Sequence, residues 1–180
     1  MSGSVERWEA LQSPREGGDG VSVRRVGPED WASWRDLRLA ALSDAPNAFG
    51  STYDGQRAKT EADWRDRLDP RNGLTAIASL DGGPAGMIGG YVTEPGVVEL
   101  ISMWVARTAR GRGVGDALVA EVVRWAEEQP ARDVRLWVTR GNEAAERLYA
   151  RHGFVRTGDV QPLPSDPCKD EIAMRLRLRR

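Results

Sequence analysis

Val105-Ala-Arg-Thr-Ala-Arg-Gly-Arg-Gly-Val-Gly-Asp116 is the stretch on which the reading of the fold turns. On its left lies an apolar run, Val97-Val-Glu-Leu-Ile-Ser-Met-Trp-Val105, that reads as a strand. On its right Val114, Leu118, Val122 and Trp125 recur at helical spacing until Pro130 ends the element. The join is a turn rich in Gly and Arg. Free N–H groups at a helix start, reinforced by the helix dipole, attract an anion, and glycine lets that anion approach the backbone closely. Arg110 and Arg112 can add charge-assisted bonds. The same composition also suits a solvated turn that uses glycine only for tight geometry. It is not a nucleoside-triphosphate loop, which needs Gly-Lys followed by Ser or Thr, and Asp116 stands where a dinucleotide fingerprint would have its last glycine.

Upstream of this join, Leu74 to Leu80, Gly86 to Val92 and Val97 to Val105 are short apolar runs separated by Asp81-Gly-Gly83 and Glu94-Pro-Gly96, the pattern of an antiparallel meander. Before them come a strand from Val21 to Val26 and a helix with Trp31, Trp34, Leu37, Leu39, Ala41 and Leu42 on one face. A loop from Ser43 to Gly55 and a short helix from Thr60 to Leu68 complete that half. Downstream, Val134 to Val138 reads as a strand, Asn142 opens a helix closed by Gly153, and Phe154 to Val160 and Glu171 to Leu178 read as two last strands joined by a Pro-rich loop, Gln161 to Asp170. The order predicts a mixed α/β layer structure, with about seven mostly antiparallel strands flanked by about four helices. Residues 1–20, rich in Gly, Ser and Glu, read as a flexible tail, and residues 21–180 as one domain.

Composition narrows the partners. Twenty-six Lys and Arg against 27 Asp and Glu give a formal charge of -1, which supplies no field for gripping nucleic acid or an anionic membrane. A single cysteine, Cys168, and a single histidine, His152, exclude a thiolate cluster and a multi-histidine metal site. No signal-peptide core or membrane-spanning run is present, so the expectation is a cytoplasmic protein, monomeric or homodimeric, with no bound metal.

Arg110-Gly-Arg-Gly113-Val-Gly115 resembles the Arg/Gln-x-x-Gly-x-Gly/Ala pyrophosphate motif of the GNAT superfamily of N-acetyltransferases. Asn142, then Tyr149, then Gly153-Phe154 resembles the second signature of that family, and the two arrive in the family's order. The strand and helix succession matches from about Val21 to Arg180. The resemblance implies that acetyl-CoA is the cosubstrate. It implies that Met103, Trp104 and Val105 lie at a splay between the two central strands and pair with the pantetheine arm. Arg110, Gly111, Arg112, Gly113, Val114, Gly115 and Asp116 would hold the pyrophosphate through backbone N–H groups, and Asn142 would hydrogen-bond the cofactor arm. Trp104 can equally be core, and Asn142 equally a helix cap. Thr108 stands where many relatives carry proline, which predicts a less rigid approach to the phosphate loop.

Acyl transfer to an amine has a proton problem at each end. An alkylammonium of pKa ~10 must lose a proton to attack, and a departing thiolate, of thiol pKa ~8.5, should gain one. Tyr149 occupies the family's general-acid position, although a buried helix-face aromatic would look the same. Glu99, a carboxylate in an apolar strand, resembles the strand glutamate that serves as base, usually through water, in some members of the family, and burial would raise its pKa usefully. An outward-facing strand residue is its alternative, and Asp54 and Glu94 are weaker candidates. Cys168 and His152 read as a free surface thiol and a structural histidine.

The acceptor site is expected between the loop that joins the first two helices and the loop that joins the last two strands. Phe49, Ser51 and Tyr53, among Asn47, Thr52 and Asp54, mix aromatic and polar groups as a pocket needs. The function expected is transfer of an acetyl group from acetyl-CoA to a primary amine of a small molecule or peptide, directly within a ternary complex. The alternative is a catalytically silent acyl-CoA-binding module, which would need neither Tyr149 nor Glu99.

Overall fold

In the computed structural model, which describes residues 20–179, the chain opens with strand β1 (Val21–Arg25) and helix α1 (Trp31–Asp44). Two short helices follow, α2 (Tyr53–Arg57) and α3 (Glu61–Arg67). The meander is β2 (Leu74–Leu80), β3 (Gly83–Glu94) and β4 (Val97–Val105). Helix α4 (Val114–Glu128), β5 (Asp133–Thr139), α5 (Glu143–Arg151), β6 (Val155–Leu163) and β7 (Asp166–Arg177) complete the chain. The seven strands form one sheet in the order β1-β2-β3-β4-β5-β7-β6, antiparallel everywhere except between β4 and β5. The mixed α/β architecture is the expected one, with a fifth short α-helix that begins inside the segment read as loop and runs past its end. The expected flexible tail lies outside the described residues, apart from Gly20.

One face of the sheet is covered by α4, whose Leu118, Val119, Val122 and Ala126 are fully buried. Gly86 makes that contact possible: a Cβ there would lie 2.7 Å from the Trp104 carbonyl oxygen and 2.9 Å from Leu118. The opposite face is covered by α1 and α3, which bury Trp34, Leu37, Leu42 and Trp64. Thr60 caps α3 in a reciprocal box with Asp63, as the sequence of a short helix requires.

The expected Pro-rich loop from Gln161 to Asp170 is instead mostly strand. Gln161 pairs with Glu171 and Pro162 with Asp170, leaving only a tight tip around Pro164 and Ser165. Pro162 is tolerated because β6 is the edge of the sheet, where a missing N–H breaks no central ladder. The long hairpin matters for the site because its tip reaches the α1–α2 connection. Ser165 donates to the Phe49 carbonyl oxygen at 2.5 Å, and Gly50 packs on Pro164.

The central feature is the join between β4 and β5. They pair only at Val97 with Asp133, Val98 with Val134 and Glu99 with Arg135. Beyond Glu99 they diverge. Between the pairs Ile101–Gly89 and Trp104–Met87, β4 carries one residue more than β3, and Ser102 sits at φ 57. A bulge of this kind bends the strand and increases its twist, which swings the end of β4 away from β5.

Candidate active site at the strand splay

The splay leaves the β5-facing backbone edge of β4 unpaired over residues 100–105. Met103, Trp104 and Val105 stand there. Trp104 is 6% exposed and its indole N–H donates to Asp44 at 3.0 Å, so its side chain is structural and only its backbone faces the gap. Met103 touches the space beside Gly115 that Leu148 of α5 also fills, which ties the end of β4 to both helices.

From Val105 the chain passes through a 3₁₀ turn at Arg107–Ala109 into the glycine loop. Gly111 and Gly113 take φ values of 75 and 82, which only glycine adopts without strain, and Gly113 forms the N-cap of α4. A Cβ at either position would meet nothing within 4 Å, so the loop presents open backbone at the positive end of a long helix. The first turn of an α-helix leaves N–H groups without internal partners. These residues fit a pyrophosphate. The arginines contribute by shape more than by charge. Arg110 is held by Asp44 at 2.5 Å and by the Val105 carbonyl at 3.1 Å, and Arg112 pairs with Asp81 at 2.8 Å. Asp116 turns its carboxylate to Arg151 and His152, which places His152 in a structural contact.

Thr108 lies in the 3₁₀ turn that leads into the loop. Asp44, at the end of α1, accepts from Trp104, Arg107 and Arg110 together, clamping both sides of the turn. Burial opposes its charge, but the indole and the two guanidiniums outweigh that and hold its carboxyl below the ordinary range.

Helix α5 starts at the open end of β5. Asn142 caps it, accepting from the Ala145 N–H at 3.3 Å through its side-chain oxygen. Tyr149 is 5% exposed, with its ring 5.8 Å from that of Phe154. Burial pushes its phenol far above its ordinary value, so it stays protonated at neutral pH. A group in that state can donate a proton and cannot act as a base.

Glu99 occupies the vertex of the splay, half-buried, opposite Tyr91 on β3 and Arg135 on β5. Burial is the main cause that raises its carboxyl above the usual value; the Tyr91 hydroxyl donates to it and Arg135 attracts it, while nearby Glu171 on β7 pushes it further up. Glu171 is itself 8% exposed and accepts from Gln161 at 2.6 Å. Glu94 is exposed and paired with Arg135, and Asp54 is exposed on α2.

The α1–α2 connection forms the wall of the site on the α1/α3 face. Phe49 is buried, Ser51 accepts from Arg38 at 3.3 Å, and Tyr53 packs partly buried against the core. Sequence reading missed Arg38, Arg67, Tyr91 and Glu171. Arg38 was legible in principle, since it falls between Trp34 and Ala41 on the buried stripe of α1. Tyr91 and Glu171 join the site only through strand register.

A split parallel pair opening onto a helix-borne anion loop, with a half-buried carboxylate at its vertex, suits a long cosubstrate that carries a pyrophosphate. The chain belongs to the acetyltransferase (GNAT) family, whose model matches residues 31–154. It is 31% identical over 147 residues to the mycothiol acetyltransferase of Paenarthrobacter aurescens, covering 77% of this chain and 43% of that one. It is 33% identical over 149 residues to that of Salinispora tropica, covering 77% and 46%. The chain thus spans less than half the length of these relatives. The fold matches an acetyltransferase of the GNAT family from Streptococcus pneumoniae with a TM-score of 0.73 at 23% identity, covering 88% of this chain and 99% of that one. It also matches yncA from Salmonella typhimurium, solved with its cofactor acetyl-CoA, with a TM-score of 0.70 at 18% identity, covering 90% and 96%.

Proposed function

We infer that this chain is an acetyl-CoA-dependent N-acetyltransferase acting on a primary amine of a small molecule or peptide, with Glu99 as base and Tyr149 as acid. The observation that carries the reading is the splay of β4 from β5 immediately beyond Glu99, with the glycine loop at its far end. Acetyl-CoA, when bound, supplies an acetyl group on a thiol leaving group. Backbone N–H groups of residues 110–116 hold its pyrophosphate, and the free edge of β4 at Met103 to Val105 orients its arm and polarises the acyl carbonyl. Glu99, reached directly or through water, takes the proton of the incoming ammonium; its raised carboxyl keeps it basic enough for that task near neutral pH. Tyr149 returns a proton to the departing sulfur.

The acceptor sits between the α1–α2 connection, with Phe49, Ser51 and Tyr53, and the β6–β7 tip. The names of the curated relatives put desacetyl-mycothiol on the list of amines to try, beside amino acids, polyamines and short peptides. Thiol release from acetyl-CoA, read with a chromogenic thiol reagent across that panel, tests the reading. The exposed Cys168 calls for a blank without acceptor. Acceptor-dependent release is expected. Tight acetyl-CoA binding with no release for any amine would favour the silent-binder alternative.

A further inference from the structure

Among the described residues, two guanidiniums on the α1/α3 face of the sheet have no carboxylate partner. Arg38 of α1 is 6% exposed, its Nη1 is buried without a hydrogen-bond partner, and its Nη2 reaches only the Ser51 hydroxyl. Its charged carbon lies 4.5 Å from the centre of the Phe49 ring. Arg67, at the end of α3, donates to the Ser102 hydroxyl at 3.0 Å, at the bulge of β4, and lies within electrostatic reach of Tyr91. Among the described residues no carboxylate acts on either, and the two repel each other. A guanidinium stays protonated in a protein, so burial leaves a charged donor without its acceptor, which is costly. Elsewhere the chain pairs its arginines closely: Arg25 with Glu121 and Glu128, Arg151 with Asp116, Arg107 with Asp44.

The open pair stands beside the reacting centre. Ser102 precedes Met103 on β4, and Tyr91 links the Arg67 side to Glu99. The site therefore has a positive end toward α1 and α3, floored by Phe49 and edged by two hydroxyls, and a negative end at Glu99 and Glu171. A molecule spanning both ends would offer a cation to one and an anion to the other.

We propose that the acceptor carries a carboxylate on the same molecule as its amine, as a free amino acid or short peptide does, and that Arg38 and Arg67 bind this carboxylate while Glu99 faces the amine. The assignment rests on reading the splay as the acetyl-transfer site. It makes Arg38 and Arg67 specificity residues for the acceptor.

Matched acceptors test it. Thiol release from acetyl-CoA is measured with glycine, L-alanine and glycylglycine against their C-terminal amides, and with O-phosphoethanolamine against ethanolamine. The expected result is a kcat/KM at least about 10-fold higher for the free carboxylates, the scale of one charge-assisted hydrogen bond. In Arg38→Met, close in length and uncharged, the ratio should collapse toward one. Equal turnover of acid and amide, or preference for the amide, overturns the proposal. A preference for the phosphate monoester over every carboxylate overturns the carboxylate and assigns the pair to a phosphate.

Thermal melting with the same compounds at millimolar concentration separates this from a failure of the transfer reading. A rise in Tm with the carboxylates but not the amides, present in the wild type and absent in Arg38→Met, sustains the anion site even if no amine is acetylated, and acetyl-CoA titration tests the transfer reading separately. No rise with any acid and no acid preference in turnover overturns it. Removing an unpaired buried charge should leave the unliganded Tm of Arg38→Met unchanged or higher, whereas a structural arginine would lower it. Should Arg38→Met fail to fold, Arg67→Met at the half-buried rim carries the same comparison.

Discussion

Tyr149 and Glu99 carry opposite proton burdens: burial keeps the phenol protonated while making it a weaker acid, and holds the Glu99 carboxyl above the usual glutamate range. Tyr149→Phe removes the proton donor while keeping the ring that packs on Phe154, so kcat should fall by roughly 10²-fold with acetyl-CoA affinity nearly unchanged. Equal turnover of the two proteins would remove the phenol from that role. For Glu99 the sign follows from its raised carboxyl. The wild-type rate should climb with pH as this carboxyl ionises, at a pH above the ordinary glutamate range. In Glu99→Gln that limb disappears and the rate should rise only as the acceptor ammonium itself deprotonates, so the loss is largest at low pH. Superimposable pH–rate profiles of kcat/KM would rule Glu99 out as the base. Folding stability runs the other way. A carboxyl whose folded pKa lies above its unfolded one contributes stability when protonated, and that contribution fades as pH rises through the shifted value.

At the scale of elements, the α4 N-terminus depends on backbone that side chains resist. Gly113→Val forces a β-branched residue to φ 82, a cost of about 1–2 kcal/mol, and puts a side chain into the open face of the loop. Acetyl-CoA affinity measured by calorimetry should drop well beyond what the loss of stability explains. A variant that binds normally would contradict the phosphate cradle. The body of the same helix is core: Leu118→Ala removes a fully buried side chain and should cost about 2–5 kcal/mol in chemical denaturation. These two substitutions, a few residues apart on one helix, should separate binding from folding.

Over the whole molecule, the site is assembled by segments far apart in the chain. The β6–β7 tip meets the α1–α2 connection through Ser165 and Phe49, and Thr139 at the end of β5 donates to the Asn47 carbonyl at 2.9 Å. Ser165→Ala should loosen this closure and raise the KM for the acceptor several-fold, with a smaller effect on the KM for acetyl-CoA, because its hydroxyl bonds the Phe49 carbonyl of the α1–α2 connection and not the glycine loop. A larger change in the acetyl-CoA constant would show that the tip belongs to the cofactor side.

The elements and the glycine loop proposed to hold the cofactor were legible in the sequence, because they are local. A strand, a glycine turn and an amphipathic helix succeed one another within Val97 to Glu128, and the Asn142 cap and Tyr149 share one helix. Short-range backbone preference and periodicity suffice to read such a unit. The β6–β7 hairpin escaped because prolines signal a loop unless the strand is known to lie at an edge, which is a property of the sheet. The surroundings of Glu99, where the acceptor is proposed to bind, came from the packing of the chain. The bulge at Ser102 that opens the splay, the register that sets Tyr91 against Glu99, the approach of Glu171 and the unpaired Arg38 and Arg67 all depend on which distant segments pack together. Charge in a sequence is a count; whether a charge is buried, paired or left open is fixed by its neighbours in space.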